Sequence, residues 1–329
     1  MIFCIIFISH AQVLNSMKFL FATNRRKRLG SFHQEVLSMW ERVLVWGTVD
    51  GAFYALIALG INLQYGVTKI LNVAHGQFLL MGSLITAALF YMYGVNPLIS
   101  IIINGIGLFL LGFLIYSLVF RKIVIEAKSP EELEVRSLLI CFGFLFIVSQ
   151  VMTIISMLNI QLLSLSIRFL RGTISVLGVN LELSRIVATF IALVTSVILY
   201  VMLRYTRIGL ALRAAAQEPT GAKIVGINIS RVHLISFSLS LLLASFAGSL
   251  ACMINPNLSA GYASQYTFIA LTVIVIGGTG SFIGSLVGGF IMGYIIQLVM
   301  QFESLLAMPV VYAFLIAMLI IRPKGLFGR

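Results

Sequence analysis

The segment VLVWGTVDGAFYALIALGINL, Val43 to Leu63, is apolar along its whole length except for a few small polar side chains and one charged one, that of Asp50. A hydrocarbon core about 30 Å thick needs roughly 20 consecutive apolar residues for one helical crossing. The segment therefore predicts a transmembrane helix. It also sets the pattern to look for in the rest of the chain.

Comparable apolar runs follow, and 60% of all residues are hydrophobic while 10% are charged, against about 25% charged in soluble domains. Lipid offers backbone groups no hydrogen-bond partners, and the alternating pattern of barrel strands is absent, so the runs are expected to be helices. The fold class predicted is all-α, a polytopic membrane protein with about 8 to 10 transmembrane or half-membrane helices. After the first span, the predicted spans are 74–93, 97–120, 137–158, 186–203, 234–254, a broken region 267–300, and 305–321.

Twelve of the 22 Lys and Arg residues lie in the loops 121–136 and 204–231 and in the tail 322–329, which fits cytoplasmic segments beside anionic lipid in a chain whose net charge is +12. The connections 94–96, 255–266 and 301–304 carry neither residue, so they are expected outside. This alternation requires region 267–300 to enter and leave the membrane as two short crossings. When the crossings are counted back from the loop 121–136, the alternation places the N-terminus outside. Either the basic N-terminal segment is not translated, or the stretch 65–76 re-enters the membrane without crossing it.

Residues 1–38 do not fit this pattern. The opening MIFCIIFI is too short to span, and the basic block from Arg25 to Arg28 follows it, whereas a secretory signal has its basic residues first. We interpret 1–38 as a disordered or wrongly assigned extension, with Met39 as the candidate start. An amphipathic anchor on the membrane surface is the alternative.

Two stretches interrupt the apolar helix pattern: YGVTKILNVAHGQF, from Tyr65 to Phe78, and GGTGSFIGSLVGG, from Gly277 to Gly289. Interrupted helices are tolerated within a membrane where they are buried in protein or line a cavity, so both stretches are candidates for a translocation path. Asp50 is either a cavity position or an interfacial one. The candidate path residues are Asp50, Tyr54, Asn72, His75, Gly76, Gln77, Gly277 and Gly278.

The second stretch has an alternative interpretation. Glycines recur every four residues, which is typical of helices that approach each other closely. The candidate packing residues are Gly280, Gly284, Gly288 and Gly293.

The loop 204–231 is basic, contains the strong helix formers LALRAAAQE, and is broken by Pro219 and Gly221 before a second short segment. Docking of a soluble partner is one interpretation, and a solvated amphipathic loop is the other. The chain contains no GxxxxGK[ST], HExxH or GxSxG motif, so no catalytic residue and no metal site are predicted. If ATP drives transport, another chain must hydrolyse it.

Five blocks in order resemble the permeases of branched-chain amino acid ABC transporters, from about Met39 to the C-terminus. They are GTVDGAFYALIALG (47–60), YGVTKILNVAHGQFLLMGS (65–83), RYTRIGLALRAAAQEPTGAKIVGIN (204–228), VIVIGGTGSFIGSLVGGFIMG (273–293) and RPKGLFG (322–328). The segment 1–38 has no counterpart in that family, and Asp50 stands where an apolar residue is expected.

The resemblance implies that 39–329 is the permease domain of a multi-pass importer subunit in a prokaryotic plasma or inner membrane. The implied partners are a second homologous permease, two cytoplasmic ATPases that bind ATP and Mg, and an extracytoplasmic solute-binding protein, with no cofactor in this chain. The implied solutes are branched-chain or related amino acids. Urea, short amides or other small polar solutes are an alternative, and an ion-coupled secondary transporter, which needs paired intramembrane charges, is a third.

The resemblance also makes 204–231 the loop that docks on the ATPase, although a strict EAA-x3-G spacing is absent. The coupling residues it implies are Arg213, Ala214, Ala215, Glu218, Gly221 and Gly226.

Deletion of residues 1–38 is expected to leave membrane insertion and transport intact, because no predicted span is lost. The measurement is the amount of protein in isolated membranes, together with solute uptake, for a chain that starts at Met39. Failure of the shortened chain to accumulate would contradict the prediction.

Overall fold

The computed structural model describes residues 25–127, 129–158, 167, 169–170, 172–255, 258–259, 261–322 and 325–327. Within them the chain is helical apart from one short antiparallel β-hairpin. Eight helices are long and apolar enough to cross a membrane, and the apolar helix Tyr262–Gly277 is shorter. The predicted fold class, a polytopic helical membrane protein, is therefore confirmed.

The helices and strands lie close to the predicted spans, and the broken region 267–300 is two helices. In chain order they are α1 Arg25–Thr68, α2 His75–Tyr93, α3 Pro97–Ile115, which continues through a π-helical turn Tyr116–Phe120 into α4 Arg121–Glu126, α5 Pro130–Leu158, β1 Thr173–Val176, β2 Val179–Glu182, α6 Leu183–Tyr205, α7 Arg207–Gln217, α8 Pro219–Ile224, α9 Ile229–Ile254, α10 Tyr262–Gly277, α11 Phe282–Phe302, a 3-10 turn Ser304–Leu306 and α12 Ala307–Ile321.

Polar side chains fix where several of these helices begin. Asn96 precedes Pro97 and accepts a hydrogen bond from the backbone N–H of Leu98 at 2.9 Å. At the start of α9, Asn228 Oδ1 accepts from the N–H of Arg231 at 3.1 Å. At the start of α11, Ser281 Oγ accepts from the N–H of Gly284 at 3.1 Å. These side chains satisfy N–H groups that have no partner within the helix. The capped position is therefore specified by the sequence.

Helix α1 is the central element of the bundle. Leu56 and Ile57 in its middle are fully buried, and α6, α9, α10 and α11 all pack against it. At the periphery, α5 and α12 expose most of their apolar side chains, with Leu139 74% and Ile320 77% exposed. In a membrane, such residues face lipid or a partner helix, so their exposure carries no penalty from water.

Helices α1 and α2 are both long enough to cross a membrane. The stretch 65–76 therefore ends one crossing helix and begins the next, and this favours alternation through both helices over re-entry. Helix α1 includes residues 25–38, which belong to the segment 1–38 that we interpret as an extension. Residues 1–24 lie outside the described residues.

Glycines let α11 approach two neighbours at once. A Cβ at Gly284 would overlap the carbonyl of Gly277 on α10, and a Cβ at Gly288 would lie 2.8 Å from the carbonyl oxygen of Val273. On the opposite side, a Cβ at Gly293 would lie 2.5 Å from the backbone nitrogen of Gly51 on α1. These are the contacts of small-xxx-small packing, in which backbones nearly touch.

Gly280 differs from the other three candidate packing residues. A Cβ there would meet nothing within 4 Å, while its φ of +79° lies in the left-handed region that favours glycine. Its role is therefore to let the chain turn between α10 and α11.

Replacement of Gly284 by leucine is expected to destabilise the protein by more than the roughly 1 to 3 kcal/mol typical of overpacking, because the added atoms meet backbone that cannot rotate away. The measurement is the amount of monodisperse protein in detergent and its melting temperature. The matched control is Ile283→Leu, since Ile283 is 52% exposed. Equal stability of the two variants would contradict close packing at Gly284.

Candidate translocation site

Asn62 on α1 holds the break between α10 and α11. Its Nδ2 donates to the carbonyl oxygen of Ser281 at 2.9 Å and to Ser285 Oγ at 2.6 Å, and its Oδ1 accepts from the N–H of Gly280 at 2.6 Å. The side chain is 3% exposed. One amide thus satisfies backbone groups that the break leaves without helical partners. The sequence analysis missed Asn62, although a polar residue inside an apolar span was the available signal.

The break between α1 and α2, residues 69–74, is also tied to α1. Asn72 is 1% exposed, its Nδ2 lies 3.4 Å from Gln64 Oε1, and its Oδ1 accepts from the N–H of Ala74 at 3.1 Å. Such a side-chain to backbone bond replaces one turn of helix. Lys69 adopts a positive φ of 57° where α1 ends. Asn72 therefore directs the chain into α2.

The start of α2 is packed into the protein interior. His75 is fully buried, with Nδ1 3.5 Å from Ser240 Oγ, while Nε2 has no partner among the described residues. The N–H of Gly76 donates to Thr267 Oγ1 at 3.0 Å, and a Cβ at Gly76 would overlap the carbonyl of Ala263. Gln77 is 4% exposed. These residues meet α9 and α10 rather than an open cavity.

The break after α10 is covered by the C-terminal segment. The N–H of Leu326 donates to the carbonyl of Ile276 at 2.7 Å, and that of Phe327 donates to the carbonyl of Gly277 at 3.1 Å. Gly278 has a φ of +92°, which only glycine adopts readily. Two of the blocks quoted above, 273–293 and 322–328, are therefore in contact, at the basic end of the molecule.

Asp50 and Tyr54 form a separate group, farther from the breaks along α1. Twelve residues separate Asp50 from Asn62 in the sequence, about 18 Å along a helix at about 1.5 Å per residue. Asp50 Oδ2 accepts a hydrogen bond from Gln297 Nε2 at 2.6 Å. The structure thus divides the candidate path residues into one group at Asp50 and two groups at the breaks.

A lateral groove of about 430 Å³ lies between α1, α6 and the β-hairpin. Its walls carry almost entirely apolar side chains, so it offers a polar solute few of the contacts that fix orientation and specificity in ligand sites. The groove is lined by Leu44, Val45, Thr48, Val49, Val176, Leu177, Leu181, Ile186, Thr189, Phe190 and Leu193.

Helices α7 and α8 form two short arms at the basic end. Thr206 Oγ1 accepts from the N–H of Gly209 at 3.1 Å and caps α7, and Glu218 Oε1 accepts from the N–H of Thr220 at 3.2 Å and caps α8. Arg213 donates to the carbonyl of Arg204 at 3.2 Å, which ties α7 back to the end of α6. The short helix, the turn and the second short segment expected from the sequence are all present, and the second segment is helical.

One of the predicted coupling residues in this segment, Ala215, is too buried to contact a partner protein. Ala215, expected as a contact residue, is 1% exposed and packs inside its own subunit. The side chains that protrude are Ile224, 82% exposed, and Val225, 75% exposed. They come just before Gly226, whose φ is +85°. Of the remaining coupling candidates, Ala214 and Gly221 are partly buried and Glu218 is exposed.

Residues 43–322 match the family model described as branched-chain amino acid transport system / permease component. The chain belongs to this family. It is 29% identical to the high-affinity branched-chain amino acid transport system permease protein LivH of Salmonella typhimurium, covering 86% of this chain and 94% of that protein. It is 26% identical to the permease protein BraD of Pseudomonas aeruginosa, covering 87% of this chain and 95% of BraD.

A second type of permease also matches. The permease protein LivM of Salmonella typhimurium is 25% identical over 87% of this chain and 71% of LivM. No solved structure matches the chain. Family membership and eight candidate spans together make this permease a multi-pass membrane subunit of a transporter.

Replacement of Asn62 by leucine is expected to lower the stability of the permease by about 1 to 3 kcal/mol, because buried groups at Gly280 and Ser281 lose their partner. The measurement is the thermal unfolding midpoint in detergent. Asn180→Leu, at an exposed position of β2, is the control. An unchanged midpoint for the Asn62 variant would show that the break does not need the amide.

Proposed function

We propose that this permease is one of two membrane subunits of an ATP-driven importer in a prokaryotic cell membrane, and that it carries branched-chain or related amino acids. The observation that carries the proposal is the exposed apolar end of α8 on a basic end of the molecule, in a chain of this family. Exposed apolar residues with no lipid beside them are typical of a protein-binding surface.

The arms α7 and α8 are suited to transmit movement. A Cβ at Gly209 would overlap the backbone of Met202 and Leu203, so α7 packs directly on the end of α6. Leu212 and Ala215 are buried against the bundle, while Ile224 and Val225 point away from it. A displacement of the arm by a bound ATPase is therefore passed on to α6 and α9, because the arm is closely packed against both helices.

Two further partners belong to the proposal. LivH and LivM of Salmonella typhimurium are both named as permease proteins of a high-affinity branched-chain amino acid transport system, and this chain is similar to both. That similarity supports a second, homologous permease beside this one. ATP and Mg bind to two separate ATPase chains, and a solute-binding protein delivers the solute from outside.

Ion coupling receives no comparable support from the charged residues. The described part of the chain contains three ion pairs, each between residues three or four apart on one segment, and each lies at the end of a span or outside it. Secondary transporters use charged groups inside the membrane as coupling sites.

Replacement of Ile224 by glutamate is expected to abolish co-purification of the ATPase and at least 90% of solute uptake, because an unpaired charge is costly to bury in a contact. The variant should insert normally, since the residue lies outside the spans. Both quantities are measured on membranes with matched permease levels.

Leu305→Glu is the matched control, because Leu305 is also 82% exposed but lies in the turn before α12 at the opposite end of the molecule. It should retain the ATPase. Normal uptake and normal ATPase retention in the Ile224 variant would show that the α7–α8 segment is a solvated connector.

A further inference from the structure

Asp50 lies on one stripe of α1 together with Trp46 and Tyr54, because residues four apart share a helix face. This stripe faces α10, α11 and the start of α6. The apolar groove lies on another side of α1, along Leu44, Val45, Thr48 and Val49. Asp50 is half-buried within the bundle.

The Asp50 carboxylate has no ion-pair partner among the described residues. It accepts one hydrogen bond, from the neutral amide of Gln297. The positive charge of Arg185 acts on it electrostatically. However, the Arg185 guanidinium is engaged elsewhere, with Nε 3.8 Å from Glu182 Oε2 and the group stacked 4.6 Å from the Trp46 ring.

A carboxylate in a membrane span is costly unless it is paired or meets water, and such residues mark substrate or ion pathways. Asp50 is also the only aspartate in the chain. The carboxylate therefore attracts any cationic group that reaches it, whether on a solute or on a partner protein.

Aromatic side chains surround this position. Tyr54 lies one helical turn from Asp50 on α1, and Tyr266 of α10 packs against Phe53, the residue before Tyr54. Tyr266 is held in place by Asn255, whose Nδ2 donates to its hydroxyl at 2.5 Å, and by the edge-to-face contact with Phe53 at 5.4 Å. A carboxylate beside fixed aromatic rings is the chemistry that recognises an ammonium group, through charge and cation–π attraction.

We propose that Asp50 binds the positively charged amino group of the transported solute at the outer end of the translocation path. This inference rests on the proposed importer function and narrows it, because a permease with such a subsite selects solutes that carry an ammonium group. Amino acids satisfy this requirement, while urea and uncharged amides do not. Gln297 orients the carboxylate, and the rings of Tyr54 and Tyr266 shield the bound amino group from water.

The test uses the complete importer, reconstituted in liposomes with its ATPases and solute-binding protein, and L-leucine as the probe. Asp50→Asn should lower the uptake rate at subsaturating leucine at least tenfold, because a hydrogen bond to a charged group is replaced by one between weaker partners. Asp50→Glu, which keeps the charge, should retain most of the uptake. Both variants should keep the ATPases and the second permease during purification.

Equal uptake by the wild type and Asp50→Asn would overturn the inference and leave the importer function intact. Loss of the second permease from the Asp50→Asn complex would also overturn it, by showing that Asp50 pairs with a cation of the partner subunit. Failure of the proposed function gives a different result, in which the wild-type importer itself takes up no leucine.

Discussion

The hydrogen bonds of the Asn62 amide to the backbone at Gly280 and Ser281 are the constraint on which the inner end of the structure depends. Lipid supplies no partner for an interrupted helix, so each break must find its partners inside the protein. Both breaks in this bundle are bonded to α1. Gln64 contacts Asn72 in the break between α1 and α2, and Asn62 binds the break between α10 and α11. The irregular segments are therefore held by polar side chains near the end of α1, where Thr68 Oγ1 also accepts from the N–H of Ile70 at 3.2 Å.

Close helix approach is what makes this possible. Asn62 reaches Ser285 on α11 because α1 and α11 nearly touch along their length, where a Cβ at Gly289 would lie 2.5 Å from the backbone of Ala55. A larger side chain at that contact would move the amide out of hydrogen-bond range as well as strain the packing. The glycine pattern and the polar break are thus parts of one arrangement, although the sequence analysis treats them as alternatives.

Helix number, the two breaks and the α7–α8 arms could be predicted because each depends on a local signal: apolar length, polar residues inside an apolar run, or proline and glycine at fixed offsets. Burial could not be predicted. In a membrane protein apolar residues lie both inside and outside the bundle, so nothing in the pattern shows that Ala215 is buried while Ile224 protrudes. The partners of Asp50 and Asn62 are also more than 200 positions away in sequence, and no local signal identifies them.

The same contacts set how the bundle can move. Helix α1 is bonded to α11 near one end through Asp50 and Gln297, and at the other through Asn62 and Ser285, with glycine contacts between. A motion that separated the two helices would break buried hydrogen bonds at both ends, so they move as one unit. The arms α7 and α8 pack on α6 and α9, and α7 also contacts α1. Arg185 at the start of α6 stacks on Trp46, one turn before Asp50. Helix α6 therefore contacts the arms at one end and α1 beside Asp50 at the other, so a single helix links the segment at the basic end with the surroundings of the carboxylate.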